Sequence, residues 1–186
     1  MTERNDESRR FHGDPARLRA PDRVARLEPE RVAALSTEGA AVGSVLDVGT
    51  GTGLFAEAFA AAGARVTGVD VNAGLLELAR AHVPEGRFVE ASAEALPFED
   101  GSFDLVFLRH VLHEVDDPSR ALREAARTAR ARVVVVEWPF REEEHGPPLA
   151  HRMRPETIGS LAKSAGLADG KRVTLPYVVL HRFKTR

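Results

Sequence analysis

The sequence predicts an α/β fold, a doubly wound and mostly parallel sheet with helices on both faces. Three observations predict it. Residues 45–48 form a short apolar run that breaks into Gly49-Thr50-Gly51-Thr52-Gly53 and then into the helical pattern opened by Leu54 and Phe55. Between residues 44 and 138, short β-rich runs alternate with stretches of helical period, the signature of strands joined by crossover helices. Two further β-rich runs, residues 173–175 and 177–183, meet at a corner made by Pro176. The 186 residues are 43% apolar, which suits one domain with a full core.

Taken in order, residues 1–21 are polar and rich in Arg, Glu and Asp, and Phe11, His12, Gly13 and Pro15 interrupt any period. The first several read as a disordered arm. Val24 and Leu27, then Val32, Ala33 and Leu35, predict one or two short helices, so residues 1–35 form an arm and cap ahead of a domain spanning 36–186. After the first strand, a helix over 54–62 has apolar residues at 54, 55, 58, 59 and 62 and stops at Gly63. A second strand, 64–69, ends in Asp70. The helix over 73–82 carries Leu75, Leu76, Ala79 and Val83 on one face, with Pro84 beyond it as a stop.

Residues 87–91 are the third strand, and 102–108 the fourth, nearly all apolar as a strand covered on both faces requires. Asp117 caps and Pro118 opens a helix running to about residue 131. The valine-rich run 132–138 is the fifth strand and must be deeply buried. Residues 140–154 are charged and broken by Gly146-Pro147-Pro148, a long loop of the kind that serves as a lid in compact α/β domains. Pro155 opens a last helix with Ile158, Leu161, Ala162 and Ala165 on one face and Gly166 as its stop.

The glycine turn carries the chemistry. Alternating glycines let the chain turn at backbone angles that other residues avoid, and they remove the Cβ atoms that would hold a ligand off the backbone. Free N–H groups and a helix N-terminus then stand at the carboxyl edge of the sheet, where a nucleotide-like ligand sits. A dinucleotide fingerprint needs G-x-G-x-x-G, and counted from Gly49 or Gly51 its last glycine falls on Leu54 or Ala56. The chain has Asp47-x-Gly49-x-Gly51-x-Gly53 instead. Asp70, at the tip of the second strand, is placed to accept hydrogen bonds from both ribose hydroxyls of an adenosine ligand.

The Asp47-to-Gly53 pattern resembles motif I of the class I S-adenosylmethionine (SAM) dependent methyltransferases. The stretch 90–104, with Leu96-Pro97-Phe98 and the Phe103-Asp104 pair, is similar to the segment in which the family joins its third and fourth strands. The closing strands about Pro176 resemble the family's antiparallel hairpin. Residues 42–139 together resemble the type 11 group that includes the ubiquinone and menaquinone C-methyltransferases. The resemblance implies a Rossmann-like sheet of seven strands and SAM as cofactor. It implies that Asp47, Gly49, Thr50, Gly51 and Gly53 wrap the methionine portion, and that Asp70 and Val71 hold the ribose. Ser92, Ala93 and Glu94 meet the adenine edge, Ser92 standing where the family often has aspartate. Leu108, Arg109 and His113 lie beside the methyl end.

Methyl transfer asks little of side chains, because the sulfonium is already activated; alignment and water exclusion do most of the work. An acceptor that must lose a proton needs a base. His110, just past the fourth strand, is the first candidate, and His151 in the lid, flanked by His145 and Arg152, is the second. Arg109 could bind a carboxylate of substrate or cofactor, or pair with a surface acid. No histidine and carboxylate cluster has diagnostic metal-ligand spacing, so no metal is expected. The net charge of −2 gives no case for nucleic acid or an anionic membrane, and no apolar run approaches the ~20 residues of a membrane span. Zero cysteines exclude disulfides and thiolate chemistry. The expectation is a cytoplasmic methyltransferase acting on a small-molecule acceptor, with oligomeric state left open. A protein of this fold that binds SAM without catalysis is the alternative, and a nicotinamide oxidoreductase a distant third.

Overall fold

A computed structural model describes residues 13–185. The arm expected to be disordered falls largely on residues 1–12, outside the described residues. A single 3-10 turn at Pro15–Arg19 leads into two short helices, α1 (Pro21–Leu27) and α2 (Pro29–Thr37). The chain continues as β1 (Ser44–Val48), α3 (Leu54–Ala61), β2 (Arg65–Asp70), α4 (Ala73–His82), β3 (Arg87–Glu90) and β4 (Phe103–Arg109). It continues as α5 (Pro118–Thr128), β5 (Ala129–Glu137), α6 (Pro155–Ser164), β6 (Ala168–Thr174) and β7 (Val179–Lys184).

The seven strands form one sheet in the order β3-β2-β1-β4-β5-β7-β6. The first five are parallel, while β7 runs antiparallel between β5 and β6. Both faces are covered. Because neighbouring strand residues point to opposite faces, Phe107 packs with Phe55 and Phe59 beneath α2, α3 and α4, and Leu108 packs with Leu122, Ala125 and Ile158 beneath α5 and α6. Local signals fix the helix starts. Asn72 accepts from the N–H groups of Gly74 and Leu75, and Asp117 from that of Arg120.

The boundaries differ from expectation most at two places, and β7 also starts two residues late, at Val179. The fifth helix ends at Thr128, not near residue 131, because Ala129 already pairs with Phe103 of β4. The penultimate strand begins at Ala168, five residues before the apolar run at 173, because β7 supplies pairing partners along a sequence with no alternation of its own. Pro176 makes the expected corner, closed by a hydrogen bond from the Leu175 N–H to the Val178 carbonyl at 2.9 Å. The topology places the site. β2 and β4 leave β1 on opposite sides, so a crevice opens at the carboxyl ends of these strands.

Candidate active site

The glycine turn sits in that crevice. Gly49, Gly51 and Gly53 all have positive φ, between 55° and 79°. A Cβ on Gly49 would collide with the side chain of Val111, and one on Gly53 would lie 3.1 Å from Ala79 of α4. The N–H groups of Gly49 and Thr50 donate to the Val69 carbonyl, at 2.8 and 3.0 Å, which ties the turn to the end of β2. Asp70 completes this knot. Its two carboxylate oxygens accept from the N–H groups of Gly51 (2.9 Å) and Asn72 (3.0 Å), leaving each oxygen a further lone pair toward the crevice. Burial raises its pKa. Asp47 lies below, 2% exposed, accepting from the Thr50 hydroxyl at 2.7 Å, and burial pushes its pKa up to about 7.

A cavity of about 770 Å³ opens over these residues, well inside the range of cofactor sites. Of the residues expected from the sequence, Asp47, Gly49, Thr50, Gly51, Asp70, Val71, Ser92, Ala93, Glu94, Arg109, His110 and His113 line it. Three others do not. Gly53 caps α3 behind the turn, Leu108 is buried under α5, and His151 sits in a 3-10 turn away from the cavity. At the β3 end the Glu94 N–H donates to the Ser92 hydroxyl, and the Glu94 carboxylate accepts from the Asp117 N–H at 2.6 Å.

The β4 end is crowded with ionisable groups. Arg109 is half-buried with its guanidinium 5.0 Å above the Phe55 ring, and its Nε and Nη2 are closed off from solvent with no partner among the described residues. Burial, with Arg23 nearby, lowers its pKa to about 9. His110 adopts φ 56°, a left-handed conformation, and its ring stacks on Trp138 with centroids 4.1 Å apart. Burial and the neighbouring Arg109 hold its pKa well below the usual histidine range. His113, in the turn after β4, has its Nδ1 2.8 Å from Oε2 of Glu137, the last residue of β5. Burial alone would lower the His113 pKa; the Glu137 and Glu114 carboxylates outweigh it and raise it. Burial lifts Glu114 to about 7.

Sequence reading missed several of these groups. Leu18 and Arg23 reach the cavity from the N-terminal segment, which is moored by Arg19 to the Thr52 carbonyl and Glu57. Trp138, Gly146 and Pro147 reach it from the far side. Glu137 was legible in principle, as a lone carboxylate in a run of valines. Among the described residues, no group of three or more His, Asp or Glu is placed to hold a metal ion, and no helix is long and apolar enough to cross a membrane.

Comparison with known proteins decides the family. Residues 46–136 match the type 11 methyltransferase domain. The chain carries a methyltransferase domain of that family. The demethylmenaquinone methyltransferase of Renibacterium salmoninarum is 37% identical over 103 residues, 55% of this chain and 44% of that protein. The ubiquinone/menaquinone biosynthesis C-methyltransferase UbiE of Hahella chejuensis is 38% identical over 106 residues, 51% of this chain and 43% of that protein. The aligned stretch thus spans less than half the length of these curated relatives. Among solved structures, a SAM-dependent methyltransferase from Aquifex aeolicus superposes with a TM-score of 0.79 at 23% identity, covering 94% of this chain and 100% of that one. The methyltransferase fold is therefore shared along nearly the whole chain, including the hairpin strand β7.

Proposed function

We propose that this protein is a cytoplasmic enzyme that binds SAM and transfers its methyl group to a small-molecule acceptor. One observation carries the reading. The glycine turn and the Asp70 carboxylate meet at the switch point of the sheet, and the cavity above them runs on to a cluster of proton-exchanging and cationic side chains. The residues present fit the cofactor. Gly51 leaves open space in the cavity that a Cβ would take up, its nearest neighbour there being Leu18 at 3.8 Å, and Asp70 keeps acceptor capacity for a pair of ribose hydroxyls. The Nε and Nη2 of Arg109 are buried donors lacking a partner among the described residues, suited to a carboxylate.

SAM, when bound, supplies a methyl group already activated on a sulfonium. The chain does the remaining work. Asp70 holds the ribose and the glycine turn wraps the methionine portion, and Ser92, Ala93 and Glu94 line the end where β3 finishes. Leu18 on one side, and Trp138 and Pro147 on the other, narrow the mouth and keep water from the acceptor. Calorimetric titration with S-adenosylhomocysteine (SAH), with NAD as control, tests the reading. SAH binding alone is the expected result, and release of SAH in a screen of small acceptors then reports turnover. Preference for NAD, or silence with both, overturns it.

A further inference from the structure

Two histidines border the cavity at the β4 end, and their surroundings separate them. His110 has no carboxylate on either ring nitrogen, its Nε2 is buried without a partner among the described residues, and its ring is stacked face to face on Trp138. His113 is held differently. Its Nδ1 meets the buried Glu137 carboxylate at 2.8 Å, so Nδ1 carries the proton and the lone pair of the neutral ring is on Nε2. With Nδ1 turned back to β5, Nε2 is the nitrogen left for the cavity, and the nearest carboxylate to it is Glu114 at 3.8 Å.

We propose that Nε2 of His113 takes the proton of the methyl acceptor and that Glu137 is the positioning residue that fixes its tautomer and supports its positive charge. This rests on the methyl-transfer reading above. The step balances as follows. The acceptor X–H bond breaks with its proton moving to Nε2, and the electron pair left on X forms the new X–CH₃ bond. The S–CH₃ bond breaks with its pair on sulfur, so sulfonium and neutral acceptor become thioether, methylated acceptor and imidazolium. Glu114, a third exposed on its side chain, gives that proton a way to solvent.

The groups facing the ring agree with the assignment. Glu137 approaches from β5, Glu114 from the same turn and Arg109 from β4, while the His110 ring stands edge-on with centroids 6.0 Å apart. Arg23 of α1 and Asp70 of β2 act on Glu114 from across the cavity. The two carboxylates beside His113 outweigh Arg109 and the burial, which favours a ring that accepts a proton near neutrality. His110, with Arg109 as its strongest charged neighbour, is kept neutral and is the poorer base.

The test uses 4-nitrophenol as a proton-bearing probe on the SAH-loaded full chain, because its phenolate absorbs at longer wavelength than its phenol. At a pH about one unit below the free probe's own pKa, where about a tenth of the free probe is phenolate, about half of the bound probe is expected to be phenolate, a roughly tenfold rise in the phenolate-to-phenol ratio. His113→Asn should abolish that rise, and Glu137→Gln should remove most of it while lowering the His113 pKa read by imidazole ¹⁵N NMR. The wild-type NMR spectrum needs no variant to fold; recorded at a pH high enough to leave the ring neutral, it should show His113 protonated on Nδ1 and bare on Nε2. A wild-type protein with no red-shifted bound species, an unchanged spectrum in His113→Asn, or a neutral His113 ring with its proton on Nε2 overturns the proposal. Calorimetry with SAH on the same wild-type sample separates the two readings. SAH bound with no phenolate band overturns the base alone, whereas no SAH binding overturns the methyl-transfer reading itself.

Discussion

Asp70 joins two tasks in one side chain, since it braces the glycine turn through the Gly51 N–H and faces the cavity with its free lone pairs. Asp70→Asn keeps one carbonyl oxygen for the turn but loses the charge. SAH affinity in calorimetry should fall roughly 10- to 100-fold, corresponding to ~1.5–3 kcal/mol for hydrogen bonds to a charged group, with the circular dichroism spectrum unchanged. Asp47 makes a stability prediction. Its folded pKa, about 7, lies above the ordinary 3.8, so between these values the folded chain holds a proton that the unfolded chain has released. Stability contributed by this site therefore falls as pH rises through that window and levels off above it. Asp47→Asn removes the effect. The variant's melting temperature relative to wild type should be higher at pH 8 than at pH 5. Residues of this kind were half legible: spacing and resemblance singled out Asp47, Asp70 and His113, but the partner of His113 was hidden. Glu137 lies 24 residues further along, and only the pairing of β4 with β5 brings it to the ring.

At the scale of elements, the buried Arg152 guanidinium gathers the loop between β5 and α6, which Arg141 also ties to the Pro176 carbonyl. Arg152, 1% exposed on its side chain, donates to the carbonyls of Pro139, His145 and Pro147 and to the Glu143 carboxylate, and lies 5.6 Å from the Trp138 ring. Gly146, at φ 87°, brings the backbone so close that a Cβ there would stand 2.8 Å from the same ring. Arg152→Met strips these carbonyls and Glu143 of their donor and should cost about 3–5 kcal/mol, the range for breaking a buried pair. Hydrogen exchange should quicken over residues 139–147 and stay slow in β1 and β4. The sequence marks this stretch as a lid by its prolines and charges, yet it does not mark the latch, whose partners are backbone carbonyls with no sequence signature. The same limit moved the end of α5 and the start of β6. Pairing across the sheet, not local period, set both.

For the whole molecule, the cavity draws on segments from Leu18 to Pro147, so a ligand that fills it ties together the N-terminal helices, both halves of the sheet and the β5–α6 loop. SAH at about 100 times its dissociation constant should stabilise the fold by ~2.7 kcal/mol, a rise of roughly 5–10 °C in melting temperature for a chain of this size. NAD at the same concentration should leave it unchanged. This architecture was the most legible level, because a parallel sheet buried on both faces writes its strands as plain apolar runs and its crossovers as amphipathic helices. The resemblance implied seven strands and a closing antiparallel hairpin, while the strand order was not legible in any pattern of the residues.

The insertion of β7 between β5 and β6 also sets a timetable for synthesis. β6 pairs with β7 and with no other described strand, and the valines of β5 keep an open edge until β7 arrives. On the ribosome, the first five strands can assemble while residues 179–184 are still inside the exit tunnel, leaving a nascent sheet whose valine-rich β5 is paired with β4 on one edge and open on the other. A message broken off before Val179 would yield a sticky intermediate that chaperones must shelter, and the cell would gain nothing by keeping it.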